Sequence, residues 1–154
     1  MMAMSIVAIF LSGIHLANSQ VLSNVRASVE SIAATRSLSS RAEQLRASTW
    51  TQVLDPNFLQ SSILNVAPNT GGDLGNPVET IQVTAYLAPA GTVNPIRVQR
   101  KNRSVAVLSN GDSALVNQPS VRIDVTVSWT GKGNRARSRQ ISLFAAKGGI
   151  LGRS

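Results

Sequence analysis

From Met1 to Val25 the chain reads MMAMSIVAIFLSGIHLANSQVLSNV, with no Lys, Arg, Asp or Glu, although the whole sequence is 14% charged and carries a formal charge of +8. The apolar part, Met1 to Ala17, is interrupted only by Ser5, Ser12, Gly13 and His15. At about 1.5 Å per residue this run covers about 26 Å as a helix, and with the uncharged Asn18 to Gln20 it nearly crosses a hydrocarbon layer of about 30 Å. Three readings account for it. A secretory signal peptide calls for a basic segment ahead of the apolar run, and a soluble core helix needs only one apolar face. A retained membrane helix fits best, because the helical pattern runs on past Gln20 without a break.

Between Ser19 and Ser48 there is neither Pro nor Gly. Leu22, Val25, Val29, Ile32, Ala42 and Leu45 recur at helical spacing, with Arg26, Glu30, Arg36, Arg41, Glu43 and Arg46 between them. One continuous helix of about 45 residues, about 68 Å long, is expected. Residues 1–20 are its apolar half, for membrane or filament core, 21–50 its amphipathic half, and 51–154 a globular β domain.

The remaining hundred or so residues suffice for one compact domain. Hydrophobic content of 43% argues against disorder, and the absence of Cys excludes disulfides and thiolate metal sites. The basic balance suits an anionic lipid, a nucleic acid or an acidic partner protein.

Asp55-Pro56 reads as a helix start, followed by a short turn through Phe58, Leu59 and Ile63. Pro68 to Pro77, PNTGGDLGNP, reads as a loop. From Glu79 the period becomes 2: Ile81, Val83, Ala85 and Leu87 alternate with polar residues, as in a strand with one buried face. Pro89-Ala90-Gly91 ends that strand, and two short strands are expected around Ile96, Val98, Val105 and Val107, before the turn signal Asn110-Gly111-Asp112. The clearest strand is Val121 to Trp129, and after the hairpin signal Thr130 to Asn134 the alternation returns in Ile141, Leu143 and Ala145. The fold class read from this pattern is α+β, a long N-terminal helix packed on an antiparallel sheet of about four strands. Leu22, Val25, Val29, Ile32 and Leu45 are expected to meet Val125, Val127 and Trp129 between the two layers.

The order of parts resembles the type IV pilin and type II secretion pseudopilin superfamily. The likeness rests on Ala3 to Ile14, on Ser40-Arg41-Ala42-Glu43-Gln44-Leu45-Arg46, and on the closing hairpin VRIDVTVSWTGKGNRARSRQISLFAAKGG. It implies a pilin-like fold and a minor pilin or minor pseudopilin role, with Ile6, Val7, Ile9, Phe10, Leu11, Gly13, Ile14 and His15 as the membrane and assembly helix. It also implies partners among other pilin or pseudopilin subunits, and single-pass residence in a bacterial inner membrane with the globular domain in the periplasm. The family's short basic leader and Gly-Phe-x-Leu-x-Glu motif have no counterpart in these 154 residues. The resemblance therefore implies that the upstream reading frame supplies them. The alternative is a secreted or periplasmic β-rich binding module with a cleaved signal sequence.

No enzyme, cofactor, metal or small-molecule substrate is expected. His15, the one histidine, sits in the apolar stretch, and no cysteine is present for nucleophilic chemistry. The acidic residues Glu30, Glu43, Asp55, Asp73, Glu79, Asp112 and Asp124 are scattered singly, without calcium-loop spacing. Two basic clusters, Arg97 to Arg103 and Lys132 to Arg139, could make a nucleic-acid surface, but they lack interleaved aromatics and read better as solvated strand edges. Trp50 and Trp129 read as core residues.

Overall fold

A computed structural model of the chain describes residues 2–67, 74–86, 89, 91–131 and 133–151; within these, the side chains of 2–13, 15–17 and 149–151 are outside the description. The architecture is α+β. Helix α1 runs unbroken over Met2–Arg46, 45 residues. Two short helical segments follow, α2 (Trp50–Val53) and α3 (Pro56–Phe58), the latter opening into a π-helical turn at Leu59–Leu64. Asp55 caps α3 by accepting from the Asn57 amide at 2.9 Å, with Pro56 at the first helical position where no amide is needed.

Strands β1 (Gly75–Ala85), β2 (Ile96–Lys101), β3 (Ser104–Asn110), β4 (Ser120–Gly131), β5 (Arg135–Ala146) and β6 (Gly149–Leu151) make one sheet in the order β3-β2-β1-β4-β5-β6. Every neighbouring pair is antiparallel. The expected sheet of about four strands is therefore an undercount. The two short strands expected around Ile96, Val98, Val105 and Val107 are β2 and β3, which form a hairpin closed at Asn102 and Arg103, with φ of 50° and 68°. Two successive positive φ values match the right-handed twist of a two-residue hairpin. The loop read over Pro68 to Pro77 is also shorter than expected at its far end. Gly75 already pairs with Thr130, and the register then slips before Val78 pairs with Ser128. Asp73, Leu87 and Lys132 lie outside the described residues.

The core lies between the sheet and the C-terminal part of α1. Ile81, Val83, Val98, Val121, Ile123, Val125, Val127, Trp129 and Leu143 are buried on the inner face of the sheet, and Ala33, Ala34, Leu38, Ala42 and Leu45 are buried on the helix. Leu59, Ile63, Leu64 and Leu115 close the margin.

The buried face of α1 differs from the expected one. Leu45, Val125, Val127 and Trp129 lie in the core, but Leu22, Val25, Val29 and Ile32 are exposed. The ten residues from Ile32 to Ala42 make about 2.8 turns, so the two groups do not share a stripe. Counted at about 100° per residue, the exposed group points to the side of the helix opposite Ala34, Leu38, Arg41 and Leu45. Small alanines rather than large aliphatics face the sheet at residues 33 and 34, which lets the helix backbone approach closely.

Among the described residues no helix is long and apolar enough to cross a membrane.

Candidate functional site

The sequence features with functional content converge on α1, which has an attached face and a free one. The attachment is polar as well as apolar. At its centre Arg41, 1% exposed, faces Glu79, 2% exposed, with Nη2 2.9 Å from Oε2. The same guanidinium donates to the Ile63 carbonyl, to the Val66 carbonyl at 2.7 Å and to Gln44 Oε1 at 3.1 Å. Ser37 Oγ donates to the second carboxylate oxygen at 2.6 Å. Arg100 Nη1 stands 3.9 Å from Glu79 and donates to the Val66 carbonyl at 3.0 Å. A buried charge pair is tolerated only when its remaining donors and acceptors are filled. Here the π-helical turn supplies the Ile63 carbonyl and the chain just after it the Val66 carbonyl, so one arginine ties α1, β1 and the chain around Ile63 to Val66 together. Arg41 Nε is buried without an acceptor among the described residues.

A second attachment lies nearer the N-terminus of the buried segment. The Trp129 indole donates to Glu30 Oε2 at 3.1 Å, and Arg137 Nη1 is 3.5 Å from the same oxygen. Arg139 Nη2 donates to Ser31 Oγ. Trp129 pairs with Arg137 across β4 and β5, and Val127 with Arg139, so the strand alternation itself turns both arginines toward the helix. Gly131 permits the approach, because a Cβ there would lie 2.8 Å from Arg137 Nε and 3.0 Å from Glu30 Oε2.

This arrangement dissolves the basic clusters seen in the sequence. Arg137 and Arg139 serve the helix, while Arg100 turns inward to Glu79, Arg103 occupies the turn between β2 and β3, and Arg97 projects from the outer face. Among the described residues Arg97 and Lys101 share the outer face, but neither cluster as a whole lies on one surface. Asp112 caps the short 3-10 helix Ser113–Asn117 by accepting from the Ala114 amide at 3.2 Å. Among the described residues no group of three or more His, Asp or Glu could hold a metal ion.

Between Val21 and Ile32 the free face of α1 is apolar, with the exposed Asn18 and Arg36 at either end of the stripe. Ile14, Val21, Leu22, Val25, Val29 and Ile32 are 44% to 59% exposed. Leu22, Val25, Val29 and Ile32 are spaced by three, four and three residues, the spacing of a seam between two packed helices. Ile6, Val7, Ile9, Phe10, Leu11, Gly13 and His15 continue the backbone of α1, with their side chains outside the described residues.

No family model, curated protein or solved structure matches this chain.

The buried Arg41–Glu79 pair was not anticipated from the sequence, though both residues carry a signal. Arg41 interrupts the small and apolar set Ala34, Leu38 and Leu45, and Glu79 stands at the inward parity of β1 with Ile81 and Val83.

Proposed function

We propose that the chain is a structural subunit of the minor pilin or pseudopilin kind, with a pilin-like fold, anchored by the N-terminal half of α1 in a bacterial inner membrane and assembled through that helix with like helices in a filament. The globular domain stands on the periplasmic side. The subunit does no chemistry of its own; the sheet domain selects neighbours.

The observation that carries this reading is the free apolar seam of α1, which extends the uncharged N-terminal run along the side of the helix turned away from the sheet. Burying an aliphatic side chain is worth about 1.5–3 kcal/mol, so such a seam in water calls for a cover. Lipid and a bundle of apolar helices solvate it similarly, and the choice between them rests on packing and on polar groups finding partners.

The absence of cysteine makes the test direct. Val25→Cys in the full chain, oxidised in intact cells, gives disulfide-linked species in the membrane fraction, whereas Ala27→Cys, on the other side of the helix, does not. Recovery of a soluble mature chain beginning near Asn18, with no cross-link from either variant, overturns the proposal in favour of a secreted binding module.

A further inference from the structure

The face of the sheet turned away from α1 carries an unusual centre. Asp124 lies in the middle of β4 on the outer side, yet it is only 7% exposed. Its Oδ1 accepts from Gln140 Nε2 at 3.0 Å and from Ser142 Oγ at 2.6 Å, and its Oδ2 accepts from Arg122 Nε at 2.8 Å and lies 2.7 Å from Arg122 Nη2. A carboxylate so enclosed has no oxygen left for a further cation. Its effect is to hold the Arg122 guanidinium by one edge, with the Arg122 side chain still 48% exposed.

Around this pair the surface is concave, with a volume of about 340 Å³ lined by Thr80, Gln82, Arg97, Arg122, Thr126 and Gln140 beside Asp124. Arg97 pairs with Gln82, which in turn pairs with Asp124, while Arg122 lies two residues along β4 opposite Thr84, so the two arginines stand on strands flanking β1 with their Cα atoms about 12 Å apart. Arg97 is exposed and has no side-chain partner among the described residues. Outside the concavity, Phe144, the partner of Arg122 on β5, is in edge-to-face contact with Tyr86 at 4.8 Å between ring centres. Tyr86 is 49% exposed.

We propose that this outer face binds an acidic polysaccharide, one whose sugars carry carboxylates. A guanidinium held in place by a saturated aspartate and a second one exposed beside it make a receptor for a carboxylate, and planar guanidinium groups match carboxylates in two parallel bonds. Thr80, Thr126, Gln82 and Gln140 both donate and accept, as sugar hydroxyls require. A nucleic acid fits less well, because successive bases need several stacking platforms and no aromatic ring lines the concavity.

The test uses the full chain in a detergent without a sugar headgroup, by affinity electrophoresis in gels containing polygalacturonate, dextran or a single-stranded oligonucleotide. Polygalacturonate retards the protein and dextran does not. Arg97→Gln and Arg122→Gln each weaken that retardation about tenfold, the usual loss for one charge-assisted contact. Arg135→Gln, an exposed cation outside the concavity, leaves it unchanged. Should the Arg122 variant fold poorly by circular dichroism, Arg97→Gln carries the comparison. Equal losses from all three variants mean a diffuse response to polyanions and overturn the proposal. So does an absence of binding, or stronger retardation by the oligonucleotide.

Discussion

Arg41 and Glu79 face each other at 2.9 Å with almost no access to water, and the carbonyls of Ile63 and Val66 and the hydroxyl of Ser37 supply further hydrogen bonds. The pair joins the helix to the first strand of the sheet through side chains 38 residues apart in sequence. Removing one member strands the other as a buried charge. Arg41→Met and Glu79→Leu are each expected to cost about 3–5 kcal/mol, and the double variant less than their sum. Urea unfolding followed by tryptophan fluorescence measures all three; strictly additive losses would mean that the two groups do not interact.

The two tryptophans make opposite predictions. Trp129 donates its indole N–H to Glu30, whereas the buried Trp50 Nε1 has no acceptor among the described residues. Trp129→Phe leaves a half-buried carboxylate short of one donor and is expected to cost about 1–3 kcal/mol beyond the change in packing. Trp50→Phe removes an unsatisfied group and costs less. Comparing the two unfolding midpoints decides it, and a larger loss at Trp50 would contradict the geometry.

The orientation of α1 is testable without reference to function. Val25→Ser and Val29→Ser, on the exposed seam, are expected to shift stability by no more than about 0.5 kcal/mol. Ala34→Leu, at a site with no exposure, forces extra carbons against the sheet and is expected to cost about 1–3 kcal/mol. Thermal unfolding of the three variants would show the reverse order if the seam rather than the alanines met the sheet.

Gly111 and Gly133 both have positive φ, 75° and 74°, but differ in surroundings. A Cβ at Gly111 would come within 2.5 Å of Ile96 Cγ1, whereas at Gly133 none of the described residues lies within 4 Å. Gly133→Ala is expected to cost about 1 kcal/mol for the backbone alone, and Gly111→Ala more, by the repacking of Ile96 and Leu115. Denaturant midpoints for the pair separate conformational strain from crowding.

The unbroken helix was legible because nothing between Ser19 and Ser48 interrupts it, and β4 and β5 because five inward positions of β4 are apolar in succession. The face that α1 buries was not legible. Leu22 to Ile32 form the more hydrophobic stripe, and hydrophobicity alone assigns that stripe to the core; the actual contact uses Ala33, Ala34 and Ala42, where small size matters more than apolar area. The two short strands around Ile96, Val98, Val105 and Val107 were legible, but the turn joining them at Asn102 and Arg103 was not, because Arg is an uncommon carrier of positive φ. The outer face escaped notice for a different reason. Asp124 and Arg122 alternate with apolar residues as any solvated pair would, and only the sheet register brings Gln140, Ser142 and Arg97 around them.

The bonds between α1 and the sheet are confined to a short length of the helix, from Glu30 with Trp129 and Ser31 with Arg139 to Arg41 with Glu79, while residues 18–29 stand exposed or half-exposed beyond it. Tension applied along the protruding part of α1 reaches the domain first where β4 and β5 grip Glu30 and Ser31. From there the load passes along the helix to the Arg41–Glu79 pair, so that both attachments are strained parallel to the helix axis. Under such a load the domain would be held at two places, by the β4–β5 hairpin and by the first strand, and release of the helix would need both to give way.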